Sequence, residues 1–329
     1  MTTIVDTHHM EMSDAPVVRT LLYNLIIISS SIAKQAYYTE AANQIASEIP
    51  GRIIMLAPDI DEEQLASRLF CNIATDGKRT FCGEVVTLKI DIDPASLPGQ
   101  VFPLIAPDLP VYVWSDVLPD SNNSFEWLSS IVDIHIIDSY TTSTDACLST
   151  NILDMTWLRL DAWIKAIIRI FDNADILDAI PDLAEIIINT DHDNPKILNV
   201  NSTLLAAWIA DCLDPDATLV KQSEKAQLHL HIYDKIVPLT LGFSGQCSSV
   251  RSIVFKFSGQ RGMQKIIVEQ ESDRLRITSC PEDFLQSVSS EPIAPDGILL
   301  AREIGDEAML HRYSAIAELA VKIGLIESS

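Results

Sequence analysis

The chain has 329 residues, 47% of them hydrophobic, enough to bury one large core or two ordinary ones. Its 46 acidic residues outnumber 23 basic ones, giving a formal charge of -23 at pH 7. A surface of that sign repels phosphate backbones and anionic lipid, and no compensating basic patch is present, so neither nucleic acid nor membrane is expected as a partner.

Residues 1–15 show no sustained period and read as a loose lead-in. The run "TLLYNLIIIS" (20–29) is β-branched and continuously apolar apart from Asn24, as a strand covered on both faces would be. It is too short to span a bilayer, which takes ~20 apolar residues. Apolar residues at helical spacing follow from Ile32 to Ile49, with Ser30 or Ser31 available to cap the start. Pro50-Gly51 ends that helix and "RIIMLA" (52–57) is a second buried strand, so the segment predicts a βαβ unit with parallel strands.

Residues 68–92 read as two strands around the Asp76-Gly77 turn. A short helix with Pro94 in its first turn is expected next, then the strand "LPVYVW", a short helix at "SFEWLSSI", and the strand "DIHIIDS" (133–139). Beyond residue 150, "MTWLRLDAWIKAIIRIFDN" predicts one long amphipathic helix, "LAEIIINT" a strand, and "LNVNSTLLAAWIADCLD" a second helix. Residues 217–278 alternate at period 2 and predict an antiparallel sheet, and a helix closes the chain. The fold class is therefore α/β (α+β). An N-terminal βαβ-containing mixed sheet with flanking helices (16–150) precedes a second α+β half with an antiparallel sheet (151–329).

Few constellations carry chemistry. The turn after the first strand is "SSS", without the Gly-x-Gly-x-x-Gly that lets a pyrophosphate approach a helix N-terminus. Serine amides there could hold a phosphate or simply cap the helix. His229 and His231 share a strand face, which permits a joint metal site, but no third ligand accompanies them. Six cysteines without a C-x-x-C pair, and no signal peptide, point to a reducing compartment and a cytoplasmic location. Cys71 and Cys82 flank the Asp76-Gly77 turn symmetrically, so a reversible disulfide and two buried thiols are both open readings. Trp157, Arg159 and Trp163 share one helix and read either as core packing or as interface anchors.

In chain order, "TLLYNLIIIS", Arg52 in "GRIIML", "CGE" (82–84), "PLIAPDLPVYVW" (103–114), "IIDS" (136–139), "DMTWLRLDAW" (154–163) and "LLAAWIADCL" (204–213) form a motif series. It resembles the glucose-6-phosphate dehydrogenase assembly protein family, OpcA, from residue 20 to about 213. The chain departs from that pattern at Ser115-Asp116, Asp133-Ile134 and Ile164-Lys165, where the family carries further tryptophan or arginine. The resemblance implies a noncatalytic subunit that binds glucose-6-phosphate dehydrogenase, promotes its active oligomer and raises NADPH production. It implies no cofactor and leaves the chain's own oligomeric state open. The implied partner contacts are Pro107, Asp108, Pro110, Trp114, Trp157, Arg159 and Trp163, with Cys71 and Cys82 as possible redox thiols. Prolines 103, 107 and 110 would preset an extended lead-in to the strand and hold Asp108 in a turn, either presenting a binding edge beside the strand's carboxyl end or simply bracing a core strand. The alternative is a stand-alone nucleotide- or sugar-phosphate-binding protein or enzyme built on the first βαβ unit.

Overall fold

A computed structural model describes residues 3–6, 21–29, 31–58, 67–73, 80–90, 96–115, 123–139, 151–190, 200–214, 216–222, 225–243, 249–259, 262–281 and 290–325. The chain divides into two compact units: 1–142 with 149–155 and 295–310, and 143–148 with 156–294 and 311–329.

The first unit is built on an eight-stranded sheet. Its strands are β1 (Thr3–Asp6), β2 (Asn24–Ile28), β3 (Arg52–Ala57), β4 (Ser67–Ile73), β5 (Thr80–Lys89), β6 (Val111–Ser115), β7 (Ile134–Ile137) and β8 (Ile152–Asp154). They lie in the order β1-β4-β5-β3-β2-β6-β7-β8. From β5 to β8 every neighbouring pair is parallel, whereas β4 runs against β5 and β1 against β4. The lead-in thus contributes an edge strand at residues 3–6, where the sequence suggested nothing regular. Counting only the parallel strands, the order is 3-2-1-4-5-6, that of doubly wound dinucleotide-binding sheets, with the reversal between β2 and β6.

Strands β2 and β6 are buried along their whole length because both sheet faces are covered. On one face Ile26, Ile28, Ile54, Leu56, Val111 and Val113 pack against Leu97, Val101, Phe125 and Leu128. Burying each such aliphatic side chain contributes ~1.5–3 kcal/mol. On the other face lies α1 (Ile32–Glu48), through Tyr38, Ala41, Ala42 and Ile45. Ser31 is its N-cap by backbone conformation, but its side chain makes no capping bond; the Ser29 hydroxyl donates to the Ser31 carbonyl at 2.9 Å. A short α2 (Leu97–Val101) carries Pro98, not Pro94, in its first turn, and Pro94 lies outside the described residues. Two 3-10 stretches, Phe102–Leu104 and Asn123–Ser130, complete the covering layer.

The sequence predicted one helix after β8; two form. These are α3 (Met155–Leu158) and α4 (Asp161–Phe171), separated where the Leu160 amide turns back to the Trp157 carbonyl at 3.0 Å, an i to i+3 bond that tightens the chain. After α5 (Ala174–Ala179) comes β9 (Leu183–Thr190), and after α6 (Val200–Leu213) come β10 (Thr218–Gln222), β11 (Lys225–Ile232), β12 (Lys235–Phe243), β13 (Val250–Gly259), β14 (Gly262–Glu271), β15 (Arg274–Cys280) and β16 (Ser290–Pro292). The second sheet has the order β10-β11-β12-β9-β13-β14-β15-β16. It is antiparallel except at its centre, where β9 lies parallel to β12. That single parallel contact corrects the expectation of a purely antiparallel sheet. It arises because α6 carries the chain away from β9 before the β10–β12 meander returns beside it. The chain ends in α7 (Asp296–Glu303), which packs on α1 in the first unit, and α8 (Glu307–Lys322).

Candidate partner-binding site at the amino edge of the parallel sheet

The loop 103–110 enters β6 at its amino end, so the proline-rich stretch stands at the edge of the sheet opposite the one expected. Three polar side chains hold it, one buried, one half-buried and one exposed. Asn24, fully buried at the start of β2, donates through Nδ2 to the carbonyls of Ala106 (3.0 Å) and Leu109 (3.4 Å) and accepts the Ala106 amide at 2.8 Å. Arg52, at the start of β3, donates through Nη1 to the Leu104 carbonyl at 2.6 Å. The same guanidinium pairs with Glu84 of β5, at 3.1 Å from Nε and 3.0 Å from Nη2. Asp133 accepts the Val111 amide at 2.8 Å, and its own amide donates to the Val111 carbonyl at 2.9 Å.

The arrangement follows from the sequence locally. Pro107 and Pro110 cannot donate, so the loop has little ladder of its own, and its carbonyls need donors from outside. Asn24 and Arg52 supply them because parallel register puts Asn24 beside Arg52 on one side and beside Val111 on the other. An asparagine inside an otherwise apolar strand run was the signal; its role in holding residues 104–110 could not be read without the register. The brace leaves Pro107, Asp108 and Pro110 exposed, with Asp108 in the left-handed region at φ 62°. Beside them Phe102 is 44% exposed and stacks edge-on against Trp127, ring centroids 5.4 Å apart.

The remaining sequence-derived site residues are distributed differently. Trp114, next to last in β6, is 1% exposed, against Tyr38 (5.1 Å) and Tyr37 (5.9 Å) of α1. Trp157 and Trp163 are buried in the second unit, Trp157 beside Tyr313, and Arg159 is half-buried there. Cys71 and Cys82 are direct register partners on β4 and β5; their side chains, like the Asp76-Gly77 turn, lie outside the described residues. His229 is half-buried and 3.4 Å from Gln227, while His231 pairs with Asp214. Among the described residues no group of three or more His, Cys, Asp or Glu is placed to hold a metal ion. None of their helices is long and apolar enough to cross a membrane.

A further pair of motifs meets at the carboxyl edge. The Ser139 amide, ending "IIDS", donates to the wholly buried Asp154 that opens "DMTW", at 3.1 Å. On the α1 face, burial pushes the Tyr23 phenol well above its ordinary pKa. The Tyr112 hydroxyl accepts the Gly305 amide at 2.9 Å, and the Tyr37 hydroxyl donates to Asp296, so residues 295–310 are fastened to α1 and β6.

A family profile described as the glucose-6-phosphate dehydrogenase subunit N-terminal domain matches residues 42–151, the stretch that contains Arg52, Glu84, the proline loop and Asp133. Over this stretch the chain is similar to the OpcA family. It is 27% identical over 188 residues to the putative OxPP cycle protein OpcA of Synechococcus elongatus, covering 52% of this chain and 41% of that protein. To the protein of the same name from Synechocystis sp. it is also 27% identical over 188 residues, covering 52% and 39%. The match thus spans about two fifths of the length of these relatives. Among solved structures, one described as glucose-6-phosphate 1-dehydrogenase from Mycobacterium avium superposes with a TM-score of 0.54 at 12% identity, over 91% of this chain and 90% of that one. At that identity the likeness concerns the fold alone.

Proposed function

We propose that this chain is a noncatalytic cytoplasmic subunit that binds glucose-6-phosphate dehydrogenase, favours its active oligomer and so raises NADPH formation in the oxidative pentose phosphate pathway. The observation that carries this reading is the convergence of family-motif residues on one brace. Arg52, Glu84 and the "PLIAPDLP" loop belong to different strands and connections, yet all act to hold Pro107, Asp108 and Pro110 outward. A surface held in one shape loses little conformational entropy on association. Trp114, Trp157 and Trp163 serve from beneath as supports for contact surfaces, and Arg159 lies at the rim of its own unit. Activation then needs only linkage: a subunit that binds the active dehydrogenase better than the inactive one shifts the population by the ratio of the two affinities.

Co-elution with the purified dehydrogenase, together with NADPH formation with and without the chain, tests the reading. Complex formation and a raised rate are expected, and Asp108→Arg should weaken both while leaving the melting temperature unchanged. A dehydrogenase whose rate and elution ignore the chain overturns it. Cys71 and Cys82, opposed across β4 and β5, supply a redox input to the same complex. Activation that is identical with and without reductant, in both the original chain and Cys82→Ser, removes that part.

The strand order favours one second reading, a nucleotide or sugar phosphate bound at the carboxyl edge, where the order reverses between β2 and β6. Thermal shift against NAD(P), ATP and sugar phosphates discriminates, because a ligand at a hundred times its dissociation constant stabilises by ~2.7 kcal/mol. A flat response across the panel eliminates it.

A further inference from the structure

The sheet of the second unit has two unlike faces. On one, Ile186, Ile188, Leu228, Leu239, Phe255 and Ile266 are each at 0% exposure, and Phe255 stacks on Phe171 at the end of α4. On the other, the alternate residues Glu185, Ile187, Val254, Lys256 and Ile267 are only half-buried. Ile236 of β12 and Met263 of β14 lie on this second face, 55% and 64% exposed.

The residues of that face are arranged self-complementarily about the seam between β9 and β13, which has four strands on either side. Ile187 lies directly across it from Val254, and Glu185 from Lys256. One strand further out, Thr240 of β12 is level with Ile187, and Ile267 of β14 is level with Val254. Continuing the same registers toward the Lys256 end brings Ile236 and Met263 to matching heights on β12 and β14. A two-fold axis along the seam therefore sets Ile187 against the second copy's Val254, Ile236 against its Met263, and Glu185 against its Lys256. Along the seam itself apolar meets apolar and acid meets base, as an isologous interface requires, while one strand out Thr240 meets the second copy's Ile267.

We propose that this open face is the docking surface for a second copy of the chain. The six central strands run for seven to ten residues each. At ~4.8 Å between strands and ~3.3 Å per residue they form a face of roughly 750 Å². That is close to the ~800 Å² per partner of a stable specific interface. Face-to-face sheets pack in this way with a relative rotation of about 30°. The intrachain ion pair of Lys256 with Glu185, at 2.8 Å, becomes half of an alternating four-charge group across the seam.

Sedimentation of the full chain over a wide range of concentration tests the proposal. A species of twice the chain mass is expected, and Val254→Lys should raise its dissociation constant at least about tenfold. Glu185→Lys sets like charges against each other at the seam and should weaken the dimer. Adding Lys256→Glu should restore it. Circular dichroism identifies folded variants, and if Val254→Lys does not fold, the charge-reversal pair decides. A chain that is monomeric throughout overturns the proposal, as does a dimer untouched by folded variants. So does a monomer whose binding to the dehydrogenase is lost on Val254→Lys, because the face then belongs to that partner.

Discussion

The two edges of the parallel sheet differ in what their polar groups do. At the carboxyl edge, where doubly wound folds bind dinucleotides, the turn after β2 has serines in place of glycines, and the Ser29 hydroxyl is spent on the Ser31 carbonyl. At the amino edge, Asn24, Arg52, Glu84 and Asp133 all hold one exposed loop in place. The same strand order can thus carry its rigid, outward-facing feature on the edge that the ligand-binding members of the architecture leave plain. A functional guess made from topology alone would look at the other edge.

The largest effect should come from removing the buried pin. Asn24→Ala deletes three hydrogen bonds and strands the Ala106 amide, so unfolding in urea should report a loss of about 3 kcal/mol, with the loop 103–110 losing amide protection first. A smaller loss, about 2 kcal/mol, is expected for Gly51→Ala, measured the same way. A Cβ there would stand 2.1 Å from the ring of Tyr23, which is buried and cannot swing aside. Arg52→Met should lose roughly 1.5–2 kcal/mol, because it removes a bond to Leu104 and leaves half-buried Glu84 without its guanidinium. Double-mutant cycles of Arg52 with Asn24 should be non-additive, since both secure the same loop. An additive pair would mean that the amino edge is not one unit.

Two weaker predictions sharpen the contrast. Tyr23→Phe removes a buried hydroxyl that has no hydrogen-bond partner among the described residues and should leave stability unchanged or raise it by up to about 1 kcal/mol, read from the urea midpoint. In the second unit, burial opposes ionisation of Asp214, but the His231 amide at 2.7 Å, the His231 ring and the Asp216 amide outweigh it and hold the carboxyl below its ordinary pKa. A depressed acid stabilises the fold above its unfolded-state pKa, so this contribution is complete above about pH 4 and lost as pH falls further. Asp214→Asn should flatten that acid limb of a stability-versus-pH curve.

Much of the fold was legible because period and turn chemistry act locally. The strand at 52–57 matches the predicted run end to end, since Pro50-Gly51 stops the helix and "RIIMLA" has nowhere polar to put a wet face. The pairing of β4 with β5, and the opposition of Cys71 to Cys82, followed from symmetry about Asp76-Gly77. Other elements were less readable. The helix starting at Met155 carries an unbroken apolar stripe, so its interruption at Arg159-Leu160 leaves no local trace. The segment "DGILLARE" forms α7, short and capped by Pro295, with too few turns to display a period.

By itself, the sequence determined most of the element types, the parallel pairing of β2 with β3, and the absence of a glycine phosphate loop, because each depends on neighbours a few residues apart. Only the tertiary structure decided that Asn24, Arg52 and Glu84 act on one loop, that residues 295–310 return to α1, and that β9 lies parallel to β12 at the centre of the second sheet. Those are contacts between residues tens to hundreds of positions apart. They are set by strand register and by the burial of shared faces, which no local pattern of residue types encodes.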